Sequence, residues 1–124
     1  MKQRVKNIYY LAKAQVTLKD LKSKTYEAVA LPAGAEIMSI DVEVLEPAVT
    51  ATKLDLGLKV GKDYSKEAFG NDLDLSAKAN HKSSVVTSTK LGGVVTLEFD
   101  QKPTGGEVVV RVAYFCPSEI LTEF

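Results

Sequence analysis

Met38-Ser39-Ile40-Asp41-Val42-Glu43-Val44 alternates apolar and polar residues without a break. A strand sends successive side chains to opposite faces, so this period predicts Met38, Ile40, Val42 and Val44 on a buried face, with Ser39, Asp41 and Glu43 on the outer one. The period returns in Thr52, Leu54, Leu56 and Leu58, in Val95, Leu97 and Phe99, and in Val108, Val110, Val112 and Tyr114. One apolar and one polar face per strand is the pattern of antiparallel sheets with a single buried side.

Turn residues separate these runs. Leu31-Pro32-Ala33-Gly34 predicts a turn, Glu46-Pro47 ends one strand, Gly92-Gly93 opens another, and Asp100 to Gly106 reads as a hairpin loop. Short alternating strands between such turns predict an all-β fold, an antiparallel β-sandwich or jelly roll. The polar stretch from Gly61 to Asp72 is read as a loop crossing between sheets. It is expected to hold one helical turn at Ser65 to Phe69 and to be anchored by Tyr64 and Phe69.

The chain has 124 residues, 45% hydrophobic and 26% charged, which fits one globular domain with its own core. The expected division is an N-terminal arm and entry strand over 1–25, a sandwich over 26–116 and a short tail over 117–124. The net charge is zero but unevenly spread: residues 1–25 carry seven basic residues against Asp20 alone, a net of plus six. The arm is expected to be extended and to lie outside the core. It is rich in lysine and poor in arginine, which argues against nucleic acid as its target.

Residues able to carry chemistry are few. Cys116 is the one cysteine, read as a small buried hydrophobe. His81 is the one histidine, read as an exposed loop residue without the companions a metal site needs. Asp72 and Asp74, with Asp63 and Glu67 near them, lack the spacing of a calcium loop and are read as a solvated strand face. No phosphate loop, nucleophile elbow or dinucleotide fingerprint is present. The expectation is a protein that is not an enzyme and takes no cofactor or metal. No stretch reaches the ~20 apolar residues of a membrane helix, and no apolar segment follows the first lysines as in a signal peptide. Synthesis in a reducing cytosol, with no membrane partner, is therefore expected.

The run from Ala30 to Val44, ALPAGAEIMSIDVEV, resembles the opening of small head decoration, or cement, proteins of tailed bacteriophages. Thr52-Lys53-Leu54-Asp55-Leu56-Gly57, then Ala68-Phe69 with Asp72-Leu73, then Gly106 to Tyr114 resemble later segments of that pattern in order, covering roughly residues 30–115. Lys62 after Gly61 departs from it where acidic residues are common, which puts any ion site of the family in doubt. The resemblance implies a small jelly-roll domain on the outer capsid surface of a virion. Such a domain would be a homotrimer that binds major capsid protein across capsomer joints.

A cement protein needs a rigid domain and segments that reach its partner. The candidates are Lys2, Arg4, Lys6, Tyr9, Tyr10, Leu11 and Lys13 in the arm and Ile120, Leu121 and Phe124 in the tail. Tyrosines would anchor and lysines would steer. The competing reading is a fibre or receptor-binding sandwich that holds a host glycan, for which the absence of tryptophan removes the usual stacking platform.

Overall fold

The computed structural model describes residues 2–6, 8–49, 52–116 and 119–123. The side chains of 2–4 and 119–123 are outside that description. The strands are β1 (Lys2–Lys6), β2 (Tyr9–Thr17), β3 (Thr25–Leu31), β4 (Ala35–Glu46), β5 (Lys53–Val60) and β6 (Asp63–Asp74). They continue with β7 (Asn80–Ser83), β8 (Thr87–Thr89), β9 (Gly93–Phe99), β10 (Glu107–Phe115) and β11 (Glu119–Glu123), and a 3-10 turn spans Leu18–Asp20.

One sheet runs β2-β10-β4-β7, with β8 also on β4, and the other runs β3-β9-β5-β6, every neighbouring pair antiparallel. The pairs nest: β5 with β6, β4 with β7 and β8, β3 with β9, β2 with β10. A long hairpin folded over on itself into two layers gives this order, which is the jelly roll. The core lies between the layers. Ile40, Val42, Val108, Val110 and Val112 of one sheet meet Leu54, Leu56, Val95, Leu97 and Phe99 of the other. The all-β sandwich is thus the fold the alternation predicts.

The β4 alternation fails at one residue. Ala113 stands opposite Ser39 and Tyr114 opposite Ile37, so Met38 has no partner on β10. This β-bulge moves the buried set from Met38 to Ile37, which has no exposed surface, and leaves Met38 42% exposed. Ile40, Val42 and Val44 are buried as expected. Asp41 and Glu43 do face outward, where the Arg111 guanidinium donates to Glu43 Oε1 at 2.8 Å and lies 3.5 Å from Asp41 Oδ2.

The stretch from Gly61 to Asp72 is not a crossing loop. Gly61 and Lys62 form a two-residue hairpin between Val60 and Asp63, with Gly61 at φ 59°, and the rest is edge strand β6. Its polar composition reflects an edge with little to bury. The expected helical turn is a wide bulge. Leu58 pairs with Ser65 and Leu56 with Gly70, so residues 66–69 stand against Gly57 alone. Phe69 points from this bulge into the core, as an anchor should.

Two expected boundaries also move. Val16, Leu18 and Leu21 are core residues, and β2 is paired with β10 along its whole length, so the sandwich begins by Tyr9 rather than at residue 26. The tail does not stand apart, because β11 pairs with β1. His81 is a half-buried residue of β7, its Nε2 2.8 Å from the Asp74 carbonyl oxygen, and it links the edges of the two sheets. The Ser76 backbone N–H, then the Ser76 hydroxyl, Lys53 and His81, hold the Asp74 carboxyl below the usual carboxylate range. Cys116 is half-buried rather than enclosed.

Candidate interaction surface at one end of the sandwich

Nested pairing brings alternate connections to the same end of the roll. β2 begins and β10 finishes at one end, and the β3–β4 turn, the Gly61-Lys62 turn, the β7–β8 link and the β8–β9 turn gather there. The opposite end carries residues 18–24, 47–49, 75–79 and 100–106, whose exposed side chains are mostly polar apart from Val49.

Exposed apolar side chains concentrate at the first end. Ile8, Tyr9, Tyr10 and Leu11 lead into the sheet, Met38 sits on its bulge, and Tyr64, Val85, Val86 and Leu91 project from the turns. Of the large hydrophobics that are exposed, Tyr26 and Val49 lie elsewhere. Isolated exposed apolar residues are ordinary, whereas a cluster marks a contact surface.

The β2–β10 register fixes how the tyrosines point. Ala12, Ala14 and Val16 oppose Val112, Val110 and Val108, so they face the core. Tyr9, Leu11, Lys13 and Gln15 face outward, opposite Phe115, Ala113, Arg111 and Val109. The Tyr9 and Phe115 ring centroids are 4.6 Å apart and those of Tyr10 and Tyr114 are 6.0 Å apart. Such tilted pairs hold the rings in place while Tyr9 remains 53% and Leu11 60% exposed. Tyr9, Leu11, Met38 and Phe115 form an apolar strip across the outer face, over the covered Ala113, and Lys13, which is exposed, borders it.

Beyond the strip the ladder continues. Cys116 N–H donates to Ile8 O at 2.8 Å, and β1 and β11 then pair as a two-stranded ribbon that joins neither sheet. Lys2 stands opposite Glu123, Arg4 opposite Leu121, Val5 opposite Ile120 and Lys6 opposite Glu119. Of the residues expected to bind a partner, Tyr9, Tyr10, Leu11 and Lys13 lie at the apolar end, and Lys2, Arg4, Lys6, Ile120 and Leu121 lie in the ribbon. Phe124 lies outside the described residues. Met38, Phe115, Tyr64, Val85, Val86 and Leu91 join the surface through topology, which no local signal in the sequence reveals.

A concavity lies on the outer side of the other sheet, lined by Lys24, Asp55, Lys66, Glu67, Asp72 and Asp100 among others. Among the described residues, no group of three or more His, Cys, Asp or Glu is placed to hold a metal ion. No helix among them is long and apolar enough to cross a membrane.

No protein-family model matches the chain. No curated protein matches it significantly. Solved structures do. A chain in the acidic stable capsid structure of Helicobacter pylori bacteriophage KHP30 is 29% identical, with all of both chains covered and a TM-score of 0.78. A chain in the capsid asymmetric unit of cyanophage Pam1 has a TM-score of 0.63 at 13% identity, over 88% of this chain and 85% of that one, and so shares the fold.

Proposed function

We propose that this chain is a phage virion structural protein. In this reading it is a decoration, or cement, protein that sits as a homotrimer on the outer capsid surface, binds major capsid protein and performs no catalysis. The observation that carries the proposal is the end-to-end likeness, at 29% identity, to a chain of a phage capsid structure. The clustered apolar end supports it, because a protein with that surface exposed needs a partner for it. A repeated lattice turns modest contacts into strong retention.

The contact is assigned to Tyr9, Leu11, Met38 and Phe115, with Tyr10 and Lys13 beside them. Tyr9→Ala with Leu11→Ala removes two exposed anchors and leaves the inward residues of β2 in place. It is expected to weaken attachment about tenfold or more, since central aromatic anchors dominate binding energy. Lys13→Ala is expected to change attachment several-fold less, because an exposed charge is solvated and screened. The measurement is co-sedimentation with capsids of the same virus stripped of this protein, quantified across salt. Failure of the unaltered chain to sediment, or equal retention of the double variant, would sink the assignment.

A further inference from the structure

The terminal ribbon has an uncommon form. The β2–β10 ladder is a two-stranded ribbon embedded in a sheet, and β1–β11 extends it after a break. One residue, 7, separates β1 from Ile8, whereas two residues, 117 and 118, separate Cys116 from β11. The extension is five pairs long, about 17 Å at normal strand rise. Among the described residues it has no neighbour on either edge in the sheet order. A lone two-stranded ribbon of this length is marginal in water.

What fits such a strand is visible in the register. β11 places Glu123 against Lys2 and Glu119 against Lys6, with Ile120 against Val5. Opposite charges and matched apolar residues across a ladder favour one register over others. The strand whose charges complement β11 is therefore β1 of this same sequence.

We propose that β1 and β11 exchange between copies, so that β11 of one molecule pairs with β1 of the next. This rests on the homo-oligomeric reading above and says how the copies interlock. Exchange re-forms every pair that the closed molecule has, in the same register, so it costs little pairing energy and ties molecules together. Swapping an identical element is a low-cost route to symmetric assembly. The charge match gives the exchanged ladder its specificity, because β1 against β1 would set Lys2, Arg4 and Lys6 against like charges.

A disulfide trap reads the exchange. Val5→Cys and Ile120→Cys, introduced together in a Cys116→Ser background, place two thiols at directly opposed positions. The purified full chain is oxidised at high concentration, both free and bound to stripped capsids, and run on a non-reducing denaturing gel. The expected result is that the greater part runs as covalent oligomers that return to monomer on reduction. A monomer with an internal disulfide, in both samples, overturns the proposal. If that pair perturbs folding, Gln3→Cys with Thr122→Cys tests the next opposed position. A chain lacking residues 119–124 is expected to keep its melting temperature within a few degrees and to lose the oligomer in light scattering. An oligomer that survives this deletion also overturns the exchange. Co-sedimentation of the reduced protein with capsids tests the decoration reading separately: a monomeric trap with normal sedimentation removes exchange alone, and oligomeric trapping without sedimentation removes the capsid role alone.

Discussion

Val42→Asp is expected to cost about 4 kcal/mol or more and to leave the domain largely unfolded. Val42 has no exposed surface. It lies mid-strand in β4, opposite Val110 on one side and His81 on the other. A carboxylate there loses its water; Arg111 is on the opposite face, engaged with Asp41 and Glu43, and the Nε2 of His81 across the ladder is already held at the Asp74 carbonyl oxygen. Met38→Asp is the matched control. Strict alternation would make it equally damaging, whereas the exposed bulge predicts a loss below ~1 kcal/mol. Urea unfolding of the two variants, read by far-ultraviolet circular dichroism, decides it, and similar midpoints for both would disprove the bulge.

Gly57→Val is the second large effect, and its sign is the informative part. Valine favours strands, so a surface strand position would gain up to ~1 kcal/mol from the change. At Gly57 a Cβ would stand 2.6 Å from the Ser65 carbonyl oxygen and 2.7 Å from Lys66 Cα, both backbone atoms of the β6 bulge. Neither can move without withdrawing Phe69, which the same bulge sends into the core. Overpacking of this kind typically costs about 1–3 kcal/mol, and here the whole bulge must shift, so the upper end is expected. A fall in melting temperature on the order of 10 °C follows for a domain of this size. An unchanged or raised value in calorimetry would mean that residues 65–67 do not lie over Gly57.

The sequence is legible wherever a residue's environment follows from its own strand. Ile40, Val42, Leu54, Leu56, Val95, Leu97 and Phe99 are interior because their neighbours alternate, and the turns at Pro32 to Gly34 and at Gly92 follow from proline and glycine stereochemistry. Legibility stops where a neighbouring strand decides. The Met38 bulge is set by the β4–β10 register, which local composition does not encode. β6 is an edge strand whose polar residues read as a loop. The Tyr9–Thr17 strand carries Ala12 and Ala14 on its inner face where the two sheets close together, and alanine there weakened the strand signal. The candidate surface was half visible. Tyr9, Tyr10 and Leu11 stand out as an apolar run in a basic segment, but their meeting with Met38, Tyr64, Val86 and Leu91 needed the roll.

The nested pairing also sets a timetable for a chain that grows from its N-terminus. The innermost hairpin, β5 with β6, is complete as soon as its two-residue turn and second strand have been made. Each pair outside it waits longer: β2 waits for β10, because Tyr9 pairs with Phe115, and β1 waits longest, for β11. Through most of synthesis β2 is therefore an unmatched segment with Tyr9, Tyr10 and Leu11 uncovered, in the state most open to mispairing with another nascent chain. Long-range closure of this kind makes for slow folders. The lysines at 2, 6 and 13 suit that interval, since like charges keep waiting strands apart until their proper partner arrives.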